Sequence, residues 1–514
     1  MIRISRLFTS TAIATMIVIP ATAEISADDV WNGFTAYYNA FGLTVDATET
    51  RTGNRLTISN LKLSAQFPFD LGSFILTTTG LDLIENADGT VDIIAPESLP
   101  LAVAITLPED VFVTTTVDYR LTGYQARVAG DPDEFTITSR LARADVELGA
   151  LSITGPKAKD LDFDGTFTLA ARDISGETEY TIGDLLVITQ DSQMGALAMN
   201  GSFTGKDARQ GDMQTTMSST MSDVQSSTRI SVLATGIDLM NLPAQLRDGM
   251  SIQYASKVRQ QTSSQRVTVN GNMVSDQSTN IGKSSSTVGL SKDGAWMKIQ
   301  ADDYAIDYTL PELPFPIRMV ASEIIGKFSG PLLKSDDDQE FVYMFDISNL
   351  KIADDLWNQF DPDAVLPRDP ARLLVDLSGT VRLFADLLDF NALRDAIDNG
   401  TKVAELTGLT LNGMDISAAG AQLTGTGAFT FDNSDKTTFQ GLPAPSGTAS
   451  LQMSGLNAMM DNLIKMGLLE NDAAFGMRMG LGLFTVAGDG DDTLVSDIEV
   501  KPDGQVLANG KRIK

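Results

Sequence analysis

The stretch Phe341-Val342-Tyr343-Met344-Phe345-Asp346-Ile347-Ser348-Asn349-Leu350-Lys351 decides the fold class. Phe341, Tyr343, Phe345 and Ile347 recur at every second residue, the period of a strand that turns one face to a core. At Asn349-Leu350 the alternation changes phase, as a β-bulge requires. The same signature stands at Ile58-Ser59-Asn60-Leu61-Lys62. Further along the chain, Val91/Ile93 follow Ala87-Asp88-Gly89, Leu161/Phe163 and Phe167/Leu169 flank Asp164-Gly165, and Ile498/Val500 precede Pro502-Asp503-Gly504. Each of these reads as a hairpin signal. Turn residues spaced by about 8 to 12 positions predict many short antiparallel strands. The fold class is therefore mainly β (α+β): large, curled antiparallel sheets with a few covering helices.

Residues 204–290 are rich in Ser, Thr, Gln and Met, as in Met217-Ser218-Ser219-Thr220-Met221-Ser222. Their weak hydrophobic asymmetry predicts edge or solvated strands; disorder is the competing reading, against which Ile230/Val232, Val267/Val269 and Trp296 keep supplying core-type residues. Helices are expected at four places. Ala27-Asp28-Asp29-Val30-Trp31-Asn32-Gly33-Phe34 is echoed by Ala353-Asp354-Asp355-Leu356-Trp357-Asn358-Gln359-Phe360. Phe390 to Asp398 ends at Gly400, and a hairpin near 454–484 has Ser454 as N-cap and Gly467 as stop. The echoes suggest two related lobes, 24–240 and 241–514, the second beginning at Asn241-Leu242-Pro243.

The chain opens with Arg3 and Arg6, an apolar run from Leu7 to Pro20, and Ala21-Thr22-Ala23. That is the pattern of a secretory signal peptide, residues 1–23, cleaved after Ala23. A membrane-crossing helix needs about 20 apolar residues, so export to the periplasm is the expectation. The 514 residues include 67 acidic and 38 basic side chains, a net charge of −29. Such acidity excludes nucleic acid as a partner and favours solubility. No cysteine is present, so burial and strand pairing carry the stability.

No histidine is present either, which removes the commonest general base and imidazole-built zinc sites. No nucleophile elbow, phosphate-cradling loop or dinucleotide fingerprint occurs. The residues point away from an enzyme, with no catalytic set, cofactor or metal assigned. Asp336-Asp337-Asp338 and Asp489-Gly490-Asp491-Asp492 offer oxygen ligands for calcium but lack the spacing of a helix-loop-helix calcium loop, and read as exposed turns. Met459, Met460, Leu463, Met466, Met477 and Met479 are the candidate hydrophobe-binding residues, because flexible thioethers suit varied apolar shapes. Core packing is the competing reading of the same residues.

Leu366-Pro367-Arg368-Asp369-Pro370-Ala371, Ala419 to Gly427, Phe429-Thr430-Phe431-Asp432-Asn433, Gly504 to Gly510 and Glu85-Asn86-Ala87-Asp88-Gly89-Thr90-Val91 stand together with the Trp31 helix. In this combination the chain resembles, from about residue 26 to the C-terminus, the alphaproteobacterial exported family called domain of unknown function 2125. That resemblance implies no catalytic residues. A second, architectural similarity connects the strand pattern with large envelope proteins that hold lipid in an open, curled sheet. The expected function is a non-enzymatic envelope protein, either a structural or interaction module or a lipid-sheltering carrier, with lipid or an envelope protein as partner. The alternatives are a carboxylate-dependent glycan hydrolase, with two acids about 5 to 10 Å apart across a cleft, and a calcium-dependent surface module.

Overall fold

The structure, a computed structural model, describes residues 24–67, 71–156, 162–207 and 211–514. The expected leader, residues 1–23, and Leu161 lie outside the described residues. Among the described residues all strands belong to one antiparallel sheet, in which most strands pair with the next along the chain. The meander starts with Thr44–Thr52, Arg55–Gln66 and Ser73–Glu85. Several later positions hold two strands end to end, such as Val91–Ile94 with Ser98–Leu107, or Ser251–Val258 with Gln260–Val269. The meander finishes through Ala421–Asp432, Ala444–Ser454, Thr493–Val500, Val506–Ala508 and Lys511–Arg512.

The sheet is continuous across residue 240: Gly211–Leu233 pairs directly with the strands on the far side of it. The polar segment forms regular strands, the longest Gly211–Leu233, and this one is not at an edge as expected: it pairs with Leu185–Asp207 on one side and with Ser251–Val258 and Gln260–Val269 on the other. Asp164-Gly165 does not turn the chain but lies within the strand Asp162–Ile182. The glycine is there for space, since a methyl at 165 would stand 2.3 Å from Phe203 Cδ1. By contrast, Gly89 and Gly504 adopt left-handed φ in true turns.

Six helices occur among the described residues: α1 (Ala27–Ala40), α2 (Leu242–Arg247), α3 (Asp354–Phe360), α4 (Phe390–Asp398), α5 (Leu456–Lys465) and α6 (Asn471–Phe484). Ser26 and Asp29 form a capping box on α1, and Glu85 accepts from the Ala27 N–H at 3.0 Å. Val30 and Trp31 of α1 and Leu246 of α2 pack into a single buried cluster. That cluster draws on Leu56 near the first edge, on Leu83, Val128, Phe135 and Ile188, and on Leu333 far along the meander, with Ile252 and Leu290 packed against it. Strands that distant in the meander share one core only if the sheet curls around the two helices. The buried core therefore fills one end of the curl.

A seam of irregular residues crosses the meander. Asn60, Asp173, Asp223, Asp303 and Asn349 have φ between 46° and 54° in the midst of strands. Register breaks coincide with Asn60 and Asn349, where the sequence changes phase. Asn, Asp and Gly tolerate this conformation because they carry little or no steric penalty there. The seam bends the sheet while keeping apolar residues on one face in both halves of each strand. Asp173→Val is expected to destabilise by about 1–3 kcal/mol, and Asp173→Gly by much less, as read from urea midpoints. Equal midpoints for the two variants would mean that the seam carries no conformational constraint.

Candidate functional site

Cross-strand register separates the two faces. Asp92, Arg127, Thr138, Glu177, Asp191 and Ser227 follow one another in register on the outer face. Side chains alternate across a strand, so the residues beside them point inward. On the inner face Tyr254, Val288, Met297, Phe328, Tyr343 and Leu377 form one row, continuing through Leu411, Ala449 and Ile498. Across the seam a second row runs Leu99, Tyr119, Val146, Leu169 and Met199. It continues through Ser219, Ser263, Thr279, Ile306 and Met319.

Neither inner row carries a charge. Ion pairs lie on the outer face instead: Arg127–Asp92 at 2.8 Å, Arg318–Asp307 at 2.7 Å, and Arg266–Asp276. The guanidinium of Arg127 holds the Asp92 carboxyl below its ordinary range, and Arg143 does the same for Asp145. A membrane-spanning barrel shows the reverse arrangement, with an apolar outside. No described helix is long and apolar enough to cross a membrane.

Beyond the end filled by α1 and α2, the inner apolar residues stay open. Tyr254, Val288, Met297, Phe328 and Tyr343 are 40 to 46% exposed, and Phe163, Met213 and Met217 on the other side of the seam 40 to 43%. Folded chains seldom leave contiguous apolar surface of this kind without a ligand or partner. Two polar breaks interrupt it. One is a band of Ser139, Gly176, Ser192, Ser226, Ser256 and Ser286, in which Ser192 and Ser226 hydroxyls lie 2.7 Å apart and those of Ser256 and Ser286 2.8 Å. The other borders a cavity of about 300 Å³ lined by Phe167, Met199, Met217, Ser219, Gln265 and Gln277, among others.

The six candidate residues around α5 and α6 separate. Met460 is buried, Met459, Leu463 and Met466 are half-buried, and Met477 and Met479 are exposed on α6. None of them lines the cavity above. The inner rows were missed because each strand contributes only one or two apolar residues to them, and only the register assembles the surface. Ser454 is not the cap of α5: it ends a strand, and Gly455 occupies the cap position with φ 69°. Asp492 reaches over instead and accepts from the N–H groups of Asn457, at 3.2 Å, and Ala458, at 2.9 Å. One acidic cluster thus closes a helix end. In the other, Asp338 pairs with Arg382 at 2.8 Å. Among the described residues no group of three or more acidic side chains is arranged to hold a metal ion.

Two of the motifs that carry the resemblance also have structural work. Glu85 accepts from Ala27 N–H and pairs with Arg51, which also meets Asp28. Arg368 donates to Asp354 Oδ1, Asn358 Oδ1 and the Asp361 carbonyl at 2.8 to 2.9 Å, with its guanidinium 6.0 Å from the Trp357 ring centre. The chain matches no family model and no curated protein.

Proposed function

We propose that this protein is a non-enzymatic exported protein of the bacterial envelope whose curled sheet shelters the acyl chains of lipid. The observation that carries this reading is the pair of charge-free, largely uncovered rows on the inner face, backed by a polar, ion-paired outer face. An acyl chain laid along the inner rows removes apolar surface from water on both sides, at about 25 cal/mol per Å². The secretory pattern of residues 1–23 and the acidic, cysteine-free composition support export. The resemblance to the exported family fits the same reading.

The test is purification of the mature protein from an envelope fraction, organic extraction and mass spectrometry. A lipid in stoichiometric amount is the expected result. Phe328→Asp combined with Met297→Asp places two charges in the open row and should lower the bound lipid at least tenfold, since burial of each original side chain is worth about 1.5–3 kcal/mol. Both positions are more than two-fifths exposed, so the variant should keep its thermal midpoint. A protein free of lipid, together with a variant indistinguishable from it, would leave the structural or interaction role as the better reading.

A further inference from the structure

The cavity of about 300 Å³ on the inner face has a chemistry that narrows the kind of lipid. Its apolar side chains are Phe167, Met199 and Met217 and its polar ones on the same face Ser219, Ser263, Gln265 and Gln277, while Asn200, Ser218 and Ser264, of the opposite face by register, also border it. The first seven point to the same face by register. Ser219 Oγ is buried and has no hydrogen-bond partner, which is costly unless a bound group supplies one. Gln277 Nε2 reaches Thr279 Oγ1 only at a long 3.4 Å, so its amide retains capacity for a shorter bond.

No Lys or Arg lines the cavity, so nothing there matches a phosphate, which favours charge-assisted donors. No Asp or Glu lines it either, so an ammonium headgroup finds no counter-ion. Amides and hydroxyls at the edge of a thioether and aromatic floor fit uncharged ester and hydroxyl oxygens. Leu169 stands beside Met199 on one strand pair, and Phe163 stacks on Phe203 with ring centres 5.8 Å apart. These provide an apolar path away from the cavity for attached chains.

We propose that this cavity seats the uncharged, ester-bearing glycerol end of a neutral glycerolipid of the diacylglycerol class, with its acyl chains along the neighbouring apolar rows. The proposal rests on the lipid-sheltering reading of the inner face and adds the selection of an uncharged head.

The experiment offers the full mature chain two photoreactive probes with identical acyl chains, a diacylglycerol and a phosphatidylglycerol, and maps cross-links by mass spectrometry. Diacylglycerol should be captured about tenfold better, with cross-links at Phe167, Met199 or Met217. Gln265→Leu with Gln277→Leu should bring the two probes to parity while capture of acyl chains persists. Ser219→Ala, a change too small to disturb the strand, should reduce the preference in the same direction and serves if the double variant fails to fold. Equal capture of both probes by the unaltered protein overturns the head-group selection and leaves the lipid-sheltering reading standing. Capture of neither probe overturns both.

Discussion

Replacing Leu83 by alanine should lower the stability of the α1-bearing end by about 2–5 kcal/mol, the range for large-to-small changes in a packed core. Leu83 has no exposed surface and faces Leu56 on one neighbouring strand and Ile93 on the other. It belongs to the same buried cluster as Trp31, whose indole donates to Glu49 at 2.9 Å. Tryptophan fluorescence in a urea titration therefore reports the loss. Met297→Ala is the control, because a side chain 41% exposed has little packing to lose and substitutions of this kind fall within about 0.5 kcal/mol. Similar shifts for the two variants would contradict a core confined to one end of the curl.

That contrast separates what the residues are for. Around α1 and α2, apolar inner residues hold the fold together, and Gln245 helps close this end by bonding to the Asp238 N–H and the Gly236 carbonyl. Farther along the meander, residues of the same type on the same face have no such covering. They cost stability in water, as any open apolar surface does, and this cost is what a sheltered acyl chain would offset. On the lipid-sheltering proposal, stability and ligand capacity depend on different parts of one continuous face. A core variant and an open-row variant should move different measurements.

The strand class was legible because Phe341, Tyr343, Phe345 and Ile347 keep strict alternation, and the bulges because Asn60 and Asn349 sit where that alternation slips. The left-handed φ of 50° and 54° at these residues is the backbone event behind the slip. Asp164-Gly165 was misleading because the pair serves turns and close approach equally well; the aromatic across the strand pair, Phe203, is invisible from local sequence. The cap of α5 was misread for a similar reason, since Asp492 lies 35 positions from Asn457. The inner face is also a long-range product. Tyr254, Val288, Met297, Phe328 and Tyr343 are separated in sequence by whole strands, and only register brings them into one row. The Met residues near 459–479 drew attention because they are adjacent in sequence, yet the structure divides them between buried and exposed positions.

The largest single polar loss should come from Asp361→Ala. Asp361 is 1% exposed, and its carboxylate accepts from the N–H groups of Val365 at 2.8 Å and Leu366 at 2.9 Å. Alanine leaves both donors without that acceptor, in a segment where Leu366 is itself buried. At about 1–3 kcal/mol for each orphaned group, the expected cost is about 2–6 kcal/mol. Asparagine should recover only part of it, because its amide NH₂ replaces one acceptor with a donor that faces an N–H. The loss should be registered locally through Arg368, which holds the Asp361 carbonyl and bridges to Asp354 and Asn358 of α3. Hydrogen exchange is the suitable probe: protection in 354–368 should fall sharply in Asp361→Ala while protection around Leu83 is retained. Loss of protection in both regions at once would mean that the two ends unfold as one unit, and the separation of core from open face would have to be abandoned.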